Sequence, residues 1–406
     1  MKKTLKVFLV SALLAVLLTF CASAKDFERT GTYGDNIRYE FDGEVLTLSG
    51  TGRMMNNYGD MEKIPWFAHT RKDEHEDVEK ITLKKVIIEE GVTSVAEYLF
   101  YECSDLEEVV LPEGIISLDG GCFLGCTSLE KINFPTTLEY IGIYTFDMCE
   151  SLKEIELSGN IKEIGMFAFC NTGIKNIKIP ASVEVISDLA FNFFNDDLSD
   201  KYTAVIENIF VDEENENYCD IDGVLFNKDK SKLITYPHGN KRTSYIIPEG
   251  TEILSTSSYG LGAFYYSKNL ETLVVPASLK TIEGAVFYDC TSLKDVYYCG
   301  TEEEWNDIFI DYYNDNLLDA TIHFKHIHRY KEEIITEATC KDEGESLFVC
   351  ECGDSYRKTV SITDHRDANN DKVCDICNEK LKVNKTLFEI ILAFIYAVLN
   401  FFERVF

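Results

Sequence analysis

Hydrophobic residues recur in the middle of the chain with a period of 22 or 23 residues. Each repeat begins with an apolar residue and has further apolar residues three and five positions later. This alternation predicts a short strand with one buried face. The first-position residues are Leu83, Leu106, Leu129, Leu152, Ile174, Leu270 and Leu293. In several repeats a proline follows and ends the strand, because proline has no N–H for the sheet.

The second half of each repeat adds three more columns of side chains. An aliphatic residue lies twelve positions after the first one, a phenylalanine lies seventeen positions after it, and in four repeats a cysteine lies twenty positions after it. The phenylalanines are Phe100, Phe123, Phe146, Phe169, Phe191 and Phe287, and the cysteines are Cys103, Cys126, Cys149 and Cys290. One repeat cannot bury this set, so the pattern predicts a solenoid in which stacked coils share a core. The cysteine column then supplies small buried side chains, with disulfides between adjacent coils as the alternative.

The repeat L-x-x-I-x-[IL]-P-x-x-[VL]-x-x-I-x-x-x-x-F-x-x-C resembles the BspA-like class of bacterial surface leucine-rich repeats, and LEKINFPTTLEYIGIYTFDMCES is a near-ideal copy. The resemblance implies a leucine-rich repeat solenoid, with parallel β-sheet coils and short convex helices, over residues 83–325. It also implies an N-terminal β cap over residues 25–82, an insertion over residues 195–241 that contains a hairpin, and a closing coil built from VYYCGTEEEWNDI and ATIHF.

The two ends of the chain carry hydrophobic segments of different kinds. Three lysines, an apolar run and Ala22-Ser23-Ala24 predict a secretory signal peptide over residues 1–24, with a lipoprotein signal at Cys21 as the alternative. Residues 384–406 are predicted to form a hydrophobic tail helix. Within it, residues 386–406 lie on a membrane surface as a shallow anchor, associate with a partner helix, or span a membrane. With the resemblance, these ends predict a protein that is secreted or held at the cell surface of a bacterium.

Charge and motifs narrow the classes of function. The chain has 39 Lys and Arg against 70 Asp and Glu, a net charge of −31 at pH 7, and an acidic surface disfavours nucleic acid as a partner. The sequence contains no G-x-S-x-G, no H-E-x-x-H and no phosphate-binding glycine loop, so we predict no enzymatic activity and no catalytic residues. The resemblance implies a non-enzymatic binding protein whose scaffold serves protein–protein interaction or adhesion, with a protein ligand on another cell or host surface. A structural envelope spacer anchored by the tail, and an accessory domain of an enzymatic activity, are the alternatives.

Two surfaces are candidate binding sites. On the outward face of the predicted strands, Lys85, Glu108, Lys131 and Glu154 alternate in sign, so we expect them to pair across the sheet. Residues 195–269 depart from the period and are rich in tyrosine, which combines a large apolar area with a polar tip and is favoured at interfaces. The predicted binding residues are Tyr202, Tyr218, Tyr236, Tyr245 and, on the outward face of a later repeat, Tyr297. The alternative is that the rings of the irregular stretch pack the insertion onto its neighbours.

Residues 326–383 form a separate module rich in cysteine and histidine. Cys350-x-Cys352, followed by Cys374-x-x-Cys377, resembles a degenerate zinc ribbon, and two close thiolate pairs complete a tetrahedral zinc site. Zinc is therefore the predicted cofactor, with these four cysteines as its ligands. Disulfide bonds, which an exported protein forms readily, and free thiols are the alternatives. The module has five cysteines, and the fifth, Cys340, fits neither zinc ligation by four cysteines nor complete disulfide pairing.

Overall fold

Each repeat forms one coil, and successive coils stack so that their short strands build two parallel rows. In the first row Lys85 pairs in register with Glu108, and in the second row Ser94 pairs with Ser117. The computed structural model describes residues 26–57, 60–71, 78–191, 206–325, 330–350, 355–362 and 373–377. The chain divides into two compact units, residues 1–326 and 327–406, and each is described by itself.

Strands β1 to β12 build the first part of the solenoid unit. They are β1 (Thr30–Tyr33), β2 (Ile37–Asp42), β3 (Val45–Gly50), β4 (Lys85–Ile88), β5 (Ser94–Val95), β6 (Glu108–Val110), β7 (Ser117–Leu118), β8 (Lys131–Ile132), β9 (Tyr140–Ile141), β10 (Glu163–Ile164), β11 (Asn176–Ile179) and β12 (Val185–Ile186). Strands β1, β2 and β3 are antiparallel, and β3 then pairs in parallel with β4. The N-terminal sheet therefore continues directly into the first row, β4-β6-β8, while β5, β7, β9, β10 and β12 form the second row.

The repeated apolar columns form the core, as the spacing predicted. First-position residues such as Leu106, Leu129 and Leu152 are fully buried, and Ile132 and Ile155 are partly buried against the same core. The phenylalanines stack in a ladder with ring centroids 5.5 to 6.0 Å apart, which is the offset stacking that aromatic rings prefer. Trp66 extends the ladder toward the N-terminal sheet, 5.7 Å from the ring of Phe100.

The segment that carries each phenylalanine is a run of turns. The resemblance implied short convex helices there, but no helix occurs in these segments of the described repeats. The reason is backbone geometry, because left-handed residues recur fifteen and nineteen positions into the coil. Tyr144 has a φ of 55° and Met148 a φ of 62°, whereas the equivalent Gly121 and Gly125 have φ of 60° and 75°. A left-handed residue ends a right-handed helix. We call the surface formed by these segments the turn face.

The second part of the solenoid unit contains strands β13 to β23. They are β13 (Asn208–Val211), β14 (Tyr218–Ile221), β15 (Val224–Asn227), β16 (Lys232–Thr235), β17 (Ser244–Ile246), β18 (Ile253–Leu254), β19 (Thr272–Val275), β20 (Thr281–Ile282), β21 (Asp295–Tyr298), β22 (Phe309–Ile310) and β23 (Thr321–His323). Strand β13 pairs in parallel with β11, and β17 pairs in parallel with β19. The irregular stretch thus contains two further coils of the stack, with longer connections than the regular repeats.

A strand of the insertion, β15, lies between two hydrophobic cores and contributes side chains to both. Strands β14 and β15 make a hairpin whose turn residues, Asp222 and Gly223, have φ of 54° and 76°, as a tight hairpin turn requires. Strand β15 alternates between the cores, since Leu225 packs in the first one and Val224 and Phe226 pack in the second. Strand β16 pairs in parallel with β18, and the hairpin thereby continues into a sheet of the order β14-β15-β16-β18-β20-β22.

Short helices occur outside the regular repeats. They are a 3-10 helix (Met61–Lys63), α1 (Phe67–Thr70), α2 (Glu302–Asn306) and α3 (Asp315–Leu318). Helix α2 lies within VYYCGTEEEWNDI, the segment that the resemblance assigned to the closing coil. It begins with a capping box, because Thr301 Oγ1 accepts a hydrogen bond from the N–H of Glu304 and Glu304 Oε2 accepts one from the N–H of Thr301.

The C-terminal unit contains a three-stranded antiparallel sheet. Its strands are β24 (Lys331–Thr336), β25 (Gly344–Val349) and β26 (Ser355–Val360), in the order β24-β25-β26. The predicted signal peptide and tail helix lie outside the described residues. Within the residues that the structure describes, none of the helices has the length and apolar character that crossing a membrane requires.

Candidate functional site

The outward face of the first row is polar, and one pair of its charges meets across neighbouring strands. Lys85 Nζ lies 2.9 Å from Glu108 Oε2, as the alternation predicted. An exposed pair of this kind contributes about 0–1 kcal/mol. In another sheet of the solenoid, the imidazole of His323 hydrogen-bonds to Asp295, with Nε2 2.8 Å from Oδ1.

A shallow groove of about 780 Å³ opens on this face. It lies beside residues 153–157, which form no strand although the repeat places one there. Its lining includes Glu108, Lys131, Lys153 and Glu154, so both signs of charge are present. Such a lining favours no particular ligand charge.

Two of the predicted binding tyrosines lie in the core. Tyr236 is 1% exposed and Tyr245 is 4% exposed. Their rings meet edge to face with centroids 5.2 Å apart, and Tyr236 also stacks on Phe264 at 4.9 Å. Burial raises the pKa of both phenols. Both side chains lie inside the second hydrophobic core, so they offer no surface to a partner.

The other predicted tyrosines have different positions. Tyr218 is half-buried, and its hydroxyl accepts a hydrogen bond from the N–H of Ile186 at 3.0 Å. This hydrogen bond satisfies a backbone N–H of strand β12, which is the last strand of the second row. Tyr297 lies on the outward face of strand β21, half-buried, with its ring stacked on His323 at 4.5 Å. Tyr202 lies outside the described residues.

An exposed aromatic cluster lies on the turn face of the last coils. We call it the tyrosine patch, and it consists of Tyr265, Tyr266, Tyr288, Tyr312 and Tyr313. Tyr265 stacks on Tyr288 at 5.6 Å, Tyr288 meets Tyr313 at 6.4 Å, and Tyr313 meets Tyr312 at 5.1 Å. The side chains of Tyr288, Tyr312 and Tyr313 are 43%, 57% and 62% exposed. The patch is therefore contiguous, and these three rings are open to solvent while Tyr265, at 8% exposed, is buried.

Lys268 contacts one end of the tyrosine patch. Its Nζ lies 3.8 Å from the centroid of the Tyr266 ring and 3.6 Å from a carboxylate oxygen of Asp289. Burial raises the pKa of Tyr265, so this phenol stays neutral well above pH 7. The patch thus combines neutral aromatic faces with a charged rim, the combination found at protein interfaces. The sequence prediction missed it because Tyr288 and Tyr313 lie outside the irregular stretch. The recurrence of tyrosine directly after Phe264 and Phe287 was the available signal.

The C-terminal unit brings three cysteines together. The sulfurs of Cys340, Cys374 and Cys377 lie within 4.8 Å of one another, and those of Cys340 and Cys374 are 3.6 Å apart. The prediction included Cys374 and Cys377 but left Cys340 out of the ligand set. Cys350 is buried outside this group of three, and Cys352 lies outside the described residues. The group offers three ligand atoms of one type to a metal ion.

The stacked coils, parallel strand rows and buried leucine columns define a leucine-rich repeat solenoid. The chain matches the model of the BspA type Leucine rich repeat region in six copies, over residues 78–196 and 244–330. These matches span half of the chain, so the protein belongs to the BspA-type leucine-rich repeat family. The interval between the matched ranges contains the hairpin and strand β16.

Solved structures of bacterial proteins are similar to this chain. A leucine-rich repeat protein from Eubacterium ventriosum ATCC 27560 is 25% identical, aligns with 73% of this chain and 72% of its own, and gives a TM-score of 0.55. The pneumococcal vaccine antigen PcpA is 19% identical over 74% of this chain and 88% of its own, with a TM-score of 0.48. A leucine-rich cell surface protein from Faecalibacterium prausnitzii A2-165 is 18% identical over 70% and 98%, with a TM-score of 0.36. No curated protein matches the sequence.

Proposed function

We propose that the protein is a non-enzymatic binding protein that is exported or held at the bacterial cell surface and binds a protein partner through the tyrosine patch. The patch is the single observation that carries the proposal. Three of its rings expose 43% or more of their surface. Large exposed aromatic clusters on a rigid scaffold are typical of interaction sites.

The rigidity of the scaffold supports this site. Tyr265 and Tyr288 directly follow Phe264 and Phe287, whose rings stack inside the core at 5.1 Å. The backbone at this point is also fixed between coils, because the N–H of Tyr266 donates to the carbonyl of Tyr288. Tyrosines that are held in place before binding lose little conformational entropy on binding.

The ends of the chain support the cellular location in this proposal. The segment 1–24 has the three parts of a secretory signal, and the apolar segment 386–406 supplies a membrane contact. We infer that β1, β2 and β3 act as the N-terminal cap, since they cover the first coil of a stack that would otherwise expose its core.

We further propose that the cysteine module binds zinc. Zinc–sulfur bonds of about 2.3 Å in tetrahedral geometry hold the sulfurs about 3.8 Å apart. The distance of 3.6 Å between the sulfurs of Cys340 and Cys374 is close to this value and far from the ~2.05 Å of a disulfide. Cys340, Cys374 and Cys377 are the proposed ligands.

Binding of the purified full chain to intact cells tests the proposed function. The fluorescently labelled chain is added to a panel of bacterial and mammalian cells, with and without prior trypsin treatment, and bound fluorescence is measured by flow cytometry. We expect binding that trypsin abolishes, and a loss of about tenfold in affinity when Tyr288, Tyr312 and Tyr313 are all changed to serine.

The matched control changes three exposed apolar residues in the first part of the solenoid, Ile116, Ile143 and Val185, to serine. This variant removes a similar apolar area but leaves the tyrosine patch intact, so we expect it to bind like the wild type. Equal losses in both variants, or binding that survives trypsin, would overturn the proposal.

A further inference from the structure

A second groove, of about 700 Å³, lies on the turn face of the first coils. We call it the outer groove. Three tyrosines line it, Tyr98, Tyr101 and Tyr144, together with the acidic residues Glu102 and Asp147. These residues come from different coils and meet because each occupies a turn position that stacking places side by side. The groove thus combines aromatic faces with carboxylates.

Asp147 is a carboxyl group without a cationic partner. Its Oδ1 accepts a hydrogen bond from Asn171 Nδ2 at 3.0 Å, and the other groups that bond to it are the N–H of Met148 and the thiol of Cys170. None of the lysines and arginines of the described residues acts on it. Burial raises the pKa of this carboxyl to about 6, because the neutral donors offset only part of the desolvation. Near pH 7 the groove therefore holds an ionised carboxylate without a counter-charge.

The lining of the outer groove already contains one cation, the guanidinium of Arg71, which packs against aromatic rings. Its guanidinium lies 5.1 Å from the ring centroid of Phe67 and 5.5 Å from that of Tyr101. Arg71 Nη2 also lies 2.5 Å from Glu102 Oε2, so these two charges balance each other. The charge that remains in the groove is that of Asp147, beside the ring of Tyr144.

We propose that the outer groove binds a cationic side chain, lysine or arginine, of a partner protein. The cation lies against the faces of Tyr98 and Tyr144, which attract positive charge, and pairs with the carboxylate of Asp147. The excess of acidic residues over the whole chain attracts basic segments toward the solenoid. This inference rests on the proposed protein-binding function only in assigning the cation to a partner protein. The outer groove itself is independent of the tyrosine patch, because the two share no residues.

Binding to this groove depends on pH. The titratable and charged groups beside Asp147 are Tyr144, Cys149, Cys170 and, across the groove, Arg71 with Glu102. Of these, Asp147 is the group whose pKa is raised to about 6. One pH unit below this value about a tenth of the carboxylate remains ionised, so affinity at pH 5 should be about tenfold lower than at pH 7.5.

The test measures binding of small probes to the full chain labelled with 3-fluorotyrosine, by ¹⁹F NMR. The probes are Nα-acetylarginine amide and Nα-acetyllysine amide, and the matched apolar control is Nα-acetylnorleucine amide. N-acetylglucosamine tests whether the groove binds sugars instead. We expect both cations to shift the resonances of Tyr98, Tyr101 and Tyr144 saturably, and the norleucine and sugar probes to leave them unchanged.

Two variants test the role of charge. Asp147→Asn keeps the shape of the side chain and should weaken binding of the cationic probes about tenfold. Glu156→Gln changes an exposed carboxylate outside the groove and should leave their binding unchanged. Thr127→Arg places a cation of the chain itself in the groove and should block the added probes, even if Asp147→Asn fails to fold. Equal shifts by norleucine amide, saturable shifts by the sugar, no saturable shift by either cation, or unchanged affinity in Thr127→Arg would overturn the inference. If cations bind as expected but the serine variant of the tyrosine patch still binds cells, only the proposed patch fails.

Discussion

The thiol of Cys149 donates a hydrogen bond to the backbone carbonyl of Phe123 in the preceding coil, with Sγ and O 3.3 Å apart. The same contact joins Cys126 to Phe100 at 3.1 Å and Cys290 to Phe264 at 3.0 Å. It explains why cysteine recurs in this column. The position needs a small apolar side chain that still donates to a buried carbonyl. None of the twelve cysteines that the structure describes forms a disulfide.

We predict that Cys149→Ala lowers the free energy of unfolding by about 1–2 kcal/mol, because it loses this hydrogen bond and leaves a small void. Guanidinium denaturation of the full chain measures the change. Cys299→Ala is the control, since Cys299 is only half-buried, and its cost should be smaller. An equal cost at both positions would contradict the role of the thiol in the column.

Tyr245→Phe should stabilise the protein. The hydroxyls of Tyr236 and Tyr245 are buried without a hydrogen-bond partner, and a buried polar group of this kind costs about 1–3 kcal/mol. Removing one hydroxyl therefore raises the unfolding free energy by about 1 kcal/mol or more. Thermal and guanidinium unfolding measure it. A drop in stability, or a loss of cell binding in this variant, would instead support the original assignment of Tyr245 to a binding surface.

Stability should depend on pH through His238. This ring is buried, neither nitrogen has a hydrogen-bond partner, and desolvation lowers its pKa from 6.5 to about 4. Between pH 6.5 and pH 4, His238 therefore binds a proton in the unfolded chain but not in the folded chain. The free energy of unfolding falls as the pH drops through this range. The loss at pH 5 is about 2 kcal/mol relative to pH 7.5.

The comparison of wild type with His238→Leu isolates this effect from the other titrating groups. The unfolding free energy is measured for both proteins at pH 7.5 and pH 5. We expect the wild type to lose about 2 kcal/mol more than the variant. The same loss in both would mean that His238 keeps its ordinary pKa in the folded chain.

Zinc should bind to the C-terminal unit of the reduced protein. Mass-spectrometric metal analysis of the full chain should find about one zinc ion per chain. Cys340→Ser, Cys374→Ser and Cys377→Ser should each lose it. Cys219→Ser, which lies in the solenoid unit, should retain it. Zinc content that is independent of Cys340 would restore the ligand set predicted from sequence, and reduced protein without stoichiometric zinc would remove the site.

The sequence predicted the stack of coils because its core columns are strictly spaced. Leu129 repeats a position that is buried in every regular repeat, and the position of Ile164 is buried in all of them except at Ile186, which is partly buried, so spacing alone identified both columns. The turns were harder to predict. Glycine marks the left-handed positions at Gly121 and Gly125, but Tyr144 and Met148 adopt the same conformation without a recognisable residue type. Nothing in these residues therefore argued against the helices that the resemblance implied.

The binding residues were less predictable because tyrosine is compatible with both core and surface. Tyr245 occupies the core position of a coil, three residues before Pro248, and this proline was the signal that it belongs to a strand. Longer connections on both sides had hidden that register. Cys340 shows the same limit, since its approach to Cys374 depends on the three-stranded sheet and not on spacing along the chain.

Site-specific photo-crosslinking on cells tests the proposed binding surface most directly. A benzophenone amino acid replaces Tyr313 in one protein and Ile143, which is exposed in the first part of the solenoid, in another. Both proteins are bound to the same cells and irradiated. We predict trypsin-sensitive covalent adducts from position 313 and none from position 143. Adducts from position 143 alone, or equal adducts from both positions, would contradict the assignment of binding to the tyrosine patch.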